Sequence, residues 1–459
     1  MLRKDGTGRI SAMKSHWKTF AFLLAVLALV RLAVMATVPV FDTSESRYAA
    51  LSANMAESGD FLVPRFSHKG VLQSFNGKPP LLFQAGGALC AVFGRHELAV
   101  RLPPFLAAAG LLALLFFAVR RLKDADAART AVLFCATSVV FYVLSGFCMT
   151  DMPLTFCVGG ALLLESVFIK SPSRWISRAV FALLGLGMLA KGPVALVLFG
   201  LPVLLDAWAN RRLALLARHD WIGGPLVFLA LAAPWYVLME RETPGFLRYF
   251  LVHENFLRFL VHDYGDQYGG GHETFRGMAA LWAVVATLPW TPLLLLTSVR
   301  IRFRDGAPET LLAWGVAAIV GFWCLTSRVP LAYLLPIVPL FAARLSLAEL
   351  PRGTARVVPA AAAVCFLALA CMVAFLTFCT GKMSGWTFKA LHAAEPDRGA
   401  AFMRKSPPYS AQFYFGPQLH LVPQPGDRIF VRGERRWEEA PHGRIRPNEH
   451  AAEQPDAGQ

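Results

Sequence analysis

Apolar residues fall into long blocks along this chain, at 19–38, 98–119, 130–147, 152–169, 175–190, 194–205, 221–239, 278–299, 311–325, 330–347 and 357–378, eleven in all. Most are long enough for a helix to cross a hydrocarbon layer about 30 Å thick. No period-two alternation runs through them, so they predict membrane-spanning helices and not a barrel. The pattern breaks after the first block. Acids, bases and aromatics take over from Phe41-Asp42-Thr43-Ser44-Glu45-Ser46-Arg47-Tyr48 to Asn76-Gly77-Lys78-Pro79-Pro80. A membrane protein that places so polar a stretch directly after its first helix is expected to build a site there.

Composition agrees with the blocks. Of 459 residues 56% are hydrophobic and only 16% charged, where a soluble chain carries about a quarter. The formal charge of +15 would suit nucleic acid. However, the basic residues are scattered through short loops between blocks, which is the bias of cytoplasmic loops, and no nucleic-acid partner is expected. The first block follows a basic start (Arg3, Lys4, Arg9, Lys14, Lys18). It is longer than the roughly 7–15-residue core of a signal peptide, so it reads as an uncleaved span with a cytoplasmic N-terminus.

Loops around Arg120, Lys170, Arg211, Arg300 and Arg352 all carry positive charge. All five face the cytoplasm if the eleven blocks cross and the short segment 79–94, which opens with Pro79-Pro80, does not. Residues 39–97 then form a periplasmic juxtamembrane region and 240–275 a periplasmic loop, within a transmembrane domain spanning 1–378. Residues 379–459 form a small extracytoplasmic tail, mostly polar, with one aromatic patch at 409–415 and a disordered end. The eight cysteines show no CxxC or His-paired spacing and read as small buried hydrophobes.

Several polar residues could carry chemistry. Asp42 and Glu45 have the spacing of a capping box ahead of a helix that Gly59-Asp60 ends. Equally, a carboxylate there, near Arg47, could orient or deprotonate an acceptor hydroxyl. Lys78, before Pro79-Pro80, suits a phosphate at a helix start, or is an ordinary interfacial lysine. Asp151 interrupts two apolar blocks, as a helix cap beside Pro153 or as a site residue. Lys191-Gly192-Pro193 puts a lysine on the outer side, against the charge bias. The loop with His253, Glu254, Asn255 and Arg258 mixes ionisable and aromatic groups, but no two ligands there stand at a diagnostic metal spacing.

Together these motifs resemble the GT-C-fold membrane glycosyltransferases that use polyprenyl-phosphate-linked sugars. The similarity is to the bacterial branch with the lipid A aminoarabinose transferases and, more distantly, to the protein O-mannosyltransferases. The landmarks are Glu45-Ser46-Arg47-Tyr48-Ala49, Gly59-Asp60-Phe61-Leu62-Val63-Pro64, Gly77-Lys78-Pro79-Pro80, Ala99-Val100-Arg101-Leu102-Pro103, Thr150-Asp151-Met152-Pro153, Ala190-Lys191-Gly192, His253-Glu254-Asn255, Arg258-Phe259 and Tyr333-Leu334-Leu335-Pro336. The resemblance implies an all-α GT-C-type bundle of about eleven spans in the cell inner membrane, with juxtamembrane helices and an active site on the periplasmic face.

It also implies roles. Lys78 and Lys191 would bind the donor phosphate, with Arg47, Tyr48 and Arg258 shaping that site and Asp151 lining it. His253 matches a position that helps hold a divalent metal in some members. Two departures stand out. Ser44 replaces the first acid of the family's Asp-Glu-x-Arg-Tyr string, which leaves Asp42 or Glu45 as the acting acid. Gly77 replaces the acid before Lys-Pro-Pro, which removes a metal ligand.

The expected activity is transfer of a sugar from a polyprenyl-phosphate carrier to a lipid, glycolipid or other envelope acceptor. The rival reading is a lipid or solute transporter, or flippase. That class calls for ionisable residues deep in several helices and paired inverted halves, whereas here the polar groups gather at block edges and no repeat is visible.

Overall fold

The computed structural model describes residues 6–68, 71–260, 274–293, 307–348, 354–378, 384–402, 408–420, 427–432 and 437–439. It is mostly helical. α1 (Gly6–Thr37) leads through 38–43 into α2 (Ser44–Ser58). A hairpin follows, β1 (Arg65–His68) antiparallel to β2 (Val71–Ser74), and then α3 (Leu81–Phe93) and α4 (Glu97–Leu122). The apolar bundle continues with α5 (Ala125–Ala136), α6 (Val139–Leu144), α7 (Asp151–Lys170), α8 (Arg174–Lys191), α9 (Val194–Ala209), α10 (Leu213–Leu216) and α11 (Gly223–Glu242). Next comes a helical stretch of α12 (Phe246–Arg248), a π-helical segment Tyr249–Leu257 and α13 (Arg258–Leu260). α14 (Met278–Ala286), α15 (Thr310–Cys324), α16 (Ile337–Leu347) and α17 (Thr354–Phe378) complete the bundle.

α7 lies at the centre, packed against α4, α8, α9, α15 and α16, and is buried along nearly its whole length. Among the described residues four helices are long and apolar enough to cross a membrane: Lys18–Thr37, Glu97–Leu122, Asp151–Lys170 and Gly223–Glu242. Other apolar blocks are broken into shorter helices, for local reasons. Block 130–147 splits into α5 and α6 at Thr137 and Ser138, whose hydroxyls donate to the carbonyls of Leu133 and Phe134 and compete with the helix ladder. Block 330–347 opens as a 3-10 turn, Leu331–Leu334, between Pro330 and Pro336, because proline cannot continue a helix from within.

The site-bearing end is built on close helix contact. α2 stops at Gly59, which takes a left-handed conformation (φ +68°). α3 rests directly on α2. A Cβ at Gly86 would come within 2.7 Å of Ser52 Oγ, and one at Gly87 within 2.9 Å of the Ser52 carbonyl oxygen, so only glycine permits this approach. α4 starts under the cap of His96, whose ring accepts from Ala99 N–H at 3.3 Å.

The fold is not wholly helical. Besides the hairpin, the C-terminal residues form α18 (Ser384–Ala394), β3 (Ala400–Phe402), α19 (Tyr409–Phe415), β4 (Leu419–His420), β5 (Arg428–Arg432) and β6 (Trp437–Glu439). The four strands make one sheet in the order β4-β3-β5-β6, with only β5 and β6 antiparallel. The aromatic patch is α19. Its Phe413 and Phe415 share one core with Tyr48, Phe66, Phe75, Phe83, Phe388 and Phe430. Burying each such ring stabilises the assembly by about 1.5–3 kcal/mol, so this part of the chain is docked onto α2 and α3. The stretch 440–459, expected to be disordered, lies outside the described residues.

Candidate active site

Two ion pairs meet at one end of the bundle. Lys78 stands between the hairpin and α3, held there by Phe75 N–H donating to the Pro64 carbonyl at 2.7 Å. Its ammonium donates to Gly77 O at 2.7 Å and to Glu254 Oε1 at 2.5 Å. Arg258 donates to that same Glu254 oxygen at 2.6 Å, so a lysine and an arginine converge on a single atom. The Glu254 side chain is only 5% exposed, and Lys78 15%. Burial alone would disfavour the Lys78 ammonium, but the charges of Glu254, Tyr48 and Tyr333 outweigh it and hold the group above lysine's ordinary value.

The second pair joins helix ends. Asp151 opens α7 and Lys191 closes α8; Lys191 Nζ donates to Asp151 Oδ1 at 2.6 Å, with both side chains buried. The Lys191 ammonium also sits 3.8 Å from the centroid of the Tyr333 ring, a cation–π contact. Tyr333 therefore touches one pair and acts electrostatically on the other. Gly192 makes the junction possible. It has φ +89°, and a Cβ there would meet the Phe250 ring at 2.6 Å. Phe250 belongs to the π-helical segment that carries Glu254, so the end of α8 is packed against the element that presents the carboxylate.

The other predicted residues hold different positions. Glu45 lies in the first turn of α2 and is 3% exposed. Its oxygens accept from Arg101 Nε at 2.7 Å and Nη2 at 2.9 Å, from Phe41 N–H at 2.9 Å and from Cys148 N–H at 3.2 Å. Arg101 spends its remaining donors on the carbonyls of Met35, Val38 and Pro39. The capping box does not form as spaced: Thr43 is the N-cap, and Asp42 accepts from the Ser46 hydroxyl (2.6 Å), the Ser410 hydroxyl and the Ser410 N–H (2.9 Å). Arg47 lies between the rings of Tyr48, Phe75 and Tyr409, each 5.5–5.7 Å from its guanidinium carbon.

His253 stacks on Tyr249 with ring centroids 6.1 Å apart. No three His, Cys, Asp or Glu converge as metal ligands among the described residues. Glu254, the carboxylate beside His253, is already bound to two cations. These residues do not fit a metal centre.

The structure thus brings together Lys78, Arg258, Lys191 and Asp151, with Tyr48 nearby, and sets Asp42, Glu45 and Arg47 against the α2 scaffold and the C-terminal unit. Glu254, Arg101 and Tyr333 stand in the motifs, but sequence reasoning gave them no role. For Glu254 a signal existed: it precedes Arg258 by four positions, the spacing of a helical ion pair. For Tyr333 there was none, since its partners lie far away in sequence.

Residues 77–237 match the family described as dolichyl-phosphate-mannose-protein mannosyltransferase. Among curated proteins the chain is similar to the undecaprenyl phosphate-alpha-4-amino-4-deoxy-L-arabinose arabinosyl transferase of Aeromonas hydrophila, 28% identical over 65% of this chain and 54% of that protein. The protein of the same name from Serratia proteamaculans is 27% identical over 71% and 58%. The chain spans a little over half the length of these relatives. Among solved structures it superposes on ArnT from Cupriavidus metallidurans bound to undecaprenyl phosphate with a TM-score of 0.73, at 18% identity, over 90% of this chain and 85% of that one. The resemblance carried by the motifs therefore has support at two levels: the chain has the ArnT-like GT-C fold, and its sequence is similar to proteins named as undecaprenyl phosphate-linked aminoarabinose transferases.

Proposed function

We propose that this chain is a membrane glycosyltransferase that moves a sugar from a polyprenyl-phosphate carrier to a lipid or other envelope acceptor. The observation that carries the reading is the convergence of Lys78 and Arg258 on one oxygen, beside the Lys191–Asp151 pair. Two cations aimed at one point make a seat for a phosphate. Two curated relatives are named for an undecaprenyl-phosphate-linked sugar. In this reading Glu254 occupies the seat until the donor phosphate displaces it.

The proposed step is displacement at the anomeric carbon. The acceptor oxygen forms the new bond to that carbon as the carbon–phosphate-oxygen bond breaks, and the bonding electron pair leaves with the phosphate. Lys78 and Arg258 stabilise the charge that develops there, a term worth about 2.7–4 kcal/mol when one such donor is removed. Asp151 takes the proton of a hydroxyl acceptor, positioned by Lys191; a phosphate acceptor needs no base. Asp42 and Glu45 are assigned to positioning: Glu45 holds α2 to α4 through Arg101, and Asp42 ties α2 to Ser410. Arg47 and Tyr48 shape the wall beside Lys78.

The topology belongs to the same proposal. About eleven crossings, a cytoplasmic N-terminus and periplasmic segments at 39–97, 240–275 and 379–459 put the site on the outer face of the inner membrane, the side the charge bias of the loops favours. The test is complementation of a deletion strain followed by mass spectrometry of envelope lipids. Lys78→Ala is expected to abolish the modified product while the protein inserts normally. Full product with Lys78→Ala would overturn the assignment, and carrier movement without sugar transfer would favour a flippase.

A further inference from the structure

A second surface lies at the opposite end of the bundle. α7 opens at Asp151 and runs 20 residues to Lys170, and α8 runs back from Arg174 to Lys191. Twenty helical residues rise about 30 Å, so Lys170 and Arg174 stand far from the Lys191–Asp151 pair. α9 returns to this far end, and the loop 210–222, which contains α10, leads from it into α11. α11 is long and apolar enough to cross a membrane. With α11 across the bilayer, the loop lies where hydrocarbon gives way to headgroups.

The loop is fixed from within. Before it, Asp206 accepts from Arg212 Nε at 2.8 Å and from the Thr310 hydroxyl at 2.6 Å. At its end, Asp220 accepts from Arg178 Nε at 2.6 Å and from Gly223 N–H at 2.8 Å. His219 bonds to Ser177 Oγ at 2.9 Å and to Glu165 Oε1 at 3.2 Å. Both aspartates are thus committed to internal partners, and two arginines are left over. Arg211 and Arg218 flank α10, both are exposed, and neither makes an ion pair among the described residues. Arg211 has φ +53°, the one non-glycine residue so placed among the described residues. Glycine is the usual choice for that conformation just past a helix, so a charge is kept where the backbone favours glycine.

Apolar side chains stand beside these charges. Trp208, Leu213, Trp221 and Ile222 are between 53% and 77% exposed, and Trp221 Nε1 donates to the Leu216 carbonyl at 2.9 Å, which ties its ring to α10. Tryptophan beside arginine suits the headgroup level, with the ring at the acyl boundary and the guanidinium on a phosphate. The end of α4 makes the contrast. It lies at the same end of the bundle, since Lys170 Nζ donates to the carbonyls of Arg121 and Leu122. Arg120 and Arg121 are exposed there too, but Asp124 and Asp126 follow them, and the Asp126 side chain is 84% exposed. Such acids repel an anion, whereas the single acid of the loop 210–222, Asp220, is already paired.

We propose that the loop 210–222 binds the headgroup of an anionic phospholipid, its phosphate held by Arg211 and Arg218 and its glycerol and upper acyl chains against Leu213 and Trp221. The site is independent of the transfer reading.

The test is native mass spectrometry of the full chain in detergent, titrated separately with phosphatidylglycerol and with phosphatidylcholine of the same tails. One double variant, Arg211→Gly with Arg218→Gln, removes the two loop charges and gives the backbone the residue it favours. A second, Arg120→Gln with Arg121→Gln, removes the same charge from the end of α4. Thermal unfolding without added lipid checks that both fold. The expected result is that the unaltered chain retains phosphatidylglycerol about tenfold better than phosphatidylcholine. The loop variant loses most of that preference and the α4 variant keeps it. In the unaltered chain the preference also shrinks as sodium chloride rises from about 0.1 M to about 1 M, because salt screens exposed charges. Equal retention of the two lipids, a preference indifferent to salt, or equal losses in the two folded variants would overturn the proposal.

Discussion

Two charge clusters, Glu45–Arg101 and Lys78–Glu254–Arg258, are built differently. At Glu45–Arg101 both side chains are 3% exposed or less, and every nitrogen of the guanidinium has an acceptor. At Lys78–Glu254–Arg258 two cations share one carboxylate oxygen, and Arg258 remains 25% exposed. The first cluster is complete within the protein. In the second, two cations meet on one oxygen of one carboxylate. Saturation of one guanidinium marks a strut, and two cations on one carboxylate oxygen are what the proposed reading uses as a seat, although residue type alone would rank both as sites.

The largest effect should come from breaking the strut. Glu45→Ala leaves Arg101 buried without its carboxylate, which costs about 3–5 kcal/mol; thermal unfolding in detergent should show the loss, and a stable variant would sink the distinction. Lys78→Ala should do the opposite, leaving the unfolding temperature almost unchanged while transfer falls about 10²–10³-fold. Glu254→Gln sharpens the comparison further. Removing the internal carboxylate should tighten binding of undecaprenyl phosphate about threefold to tenfold by isothermal titration, whereas weaker binding would mean that Glu254 serves to place the cations.

A smaller effect concerns pH. Lys78 is held above its ordinary value, so its pairing is fully present below the usual lysine range and is lost only as pH climbs through the raised value. Donor binding should therefore stay flat from about pH 6 to 9, and a fall in that window would have to come from another group. The smallest expected change is on chelation: EDTA should leave donor binding unaltered, because in this reading Lys78 and Arg258, and not a metal, hold the phosphate.

Much of the candidate site was legible in one dimension. Asp151, Lys78 and Lys191 each interrupt or border an apolar block, and such breaks survive folding as helix ends that converge. Pairing was not legible. Lys78 meets Glu254 across 176 positions, and nothing in either neighbourhood encodes the other. Glu45 was ambiguous for the same reason, since its partner Arg101 lies in another motif. The blocks located helices well, but hydroxyl and proline breaks shortened several of them. The C-terminal sheet was invisible because strands of two to five residues are too short to carry a period.

The bond between Asp42 and Ser410 spans 368 positions, and it has company. Val40 N–H donates to the Tyr414 hydroxyl, Tyr414 to Glu97, and Lys389 pairs with Glu97 as well. During synthesis α2 is made well before these partners. Until α19 arrives, Asp42 lacks Ser410, Glu97 lacks the Tyr414 hydroxyl, and Phe66 lacks the Tyr409 ring. A nascent chain would therefore display one side of this wall uncovered for the time it takes to make more than three hundred further residues, and maturation of that wall is timed by the arrival of α19.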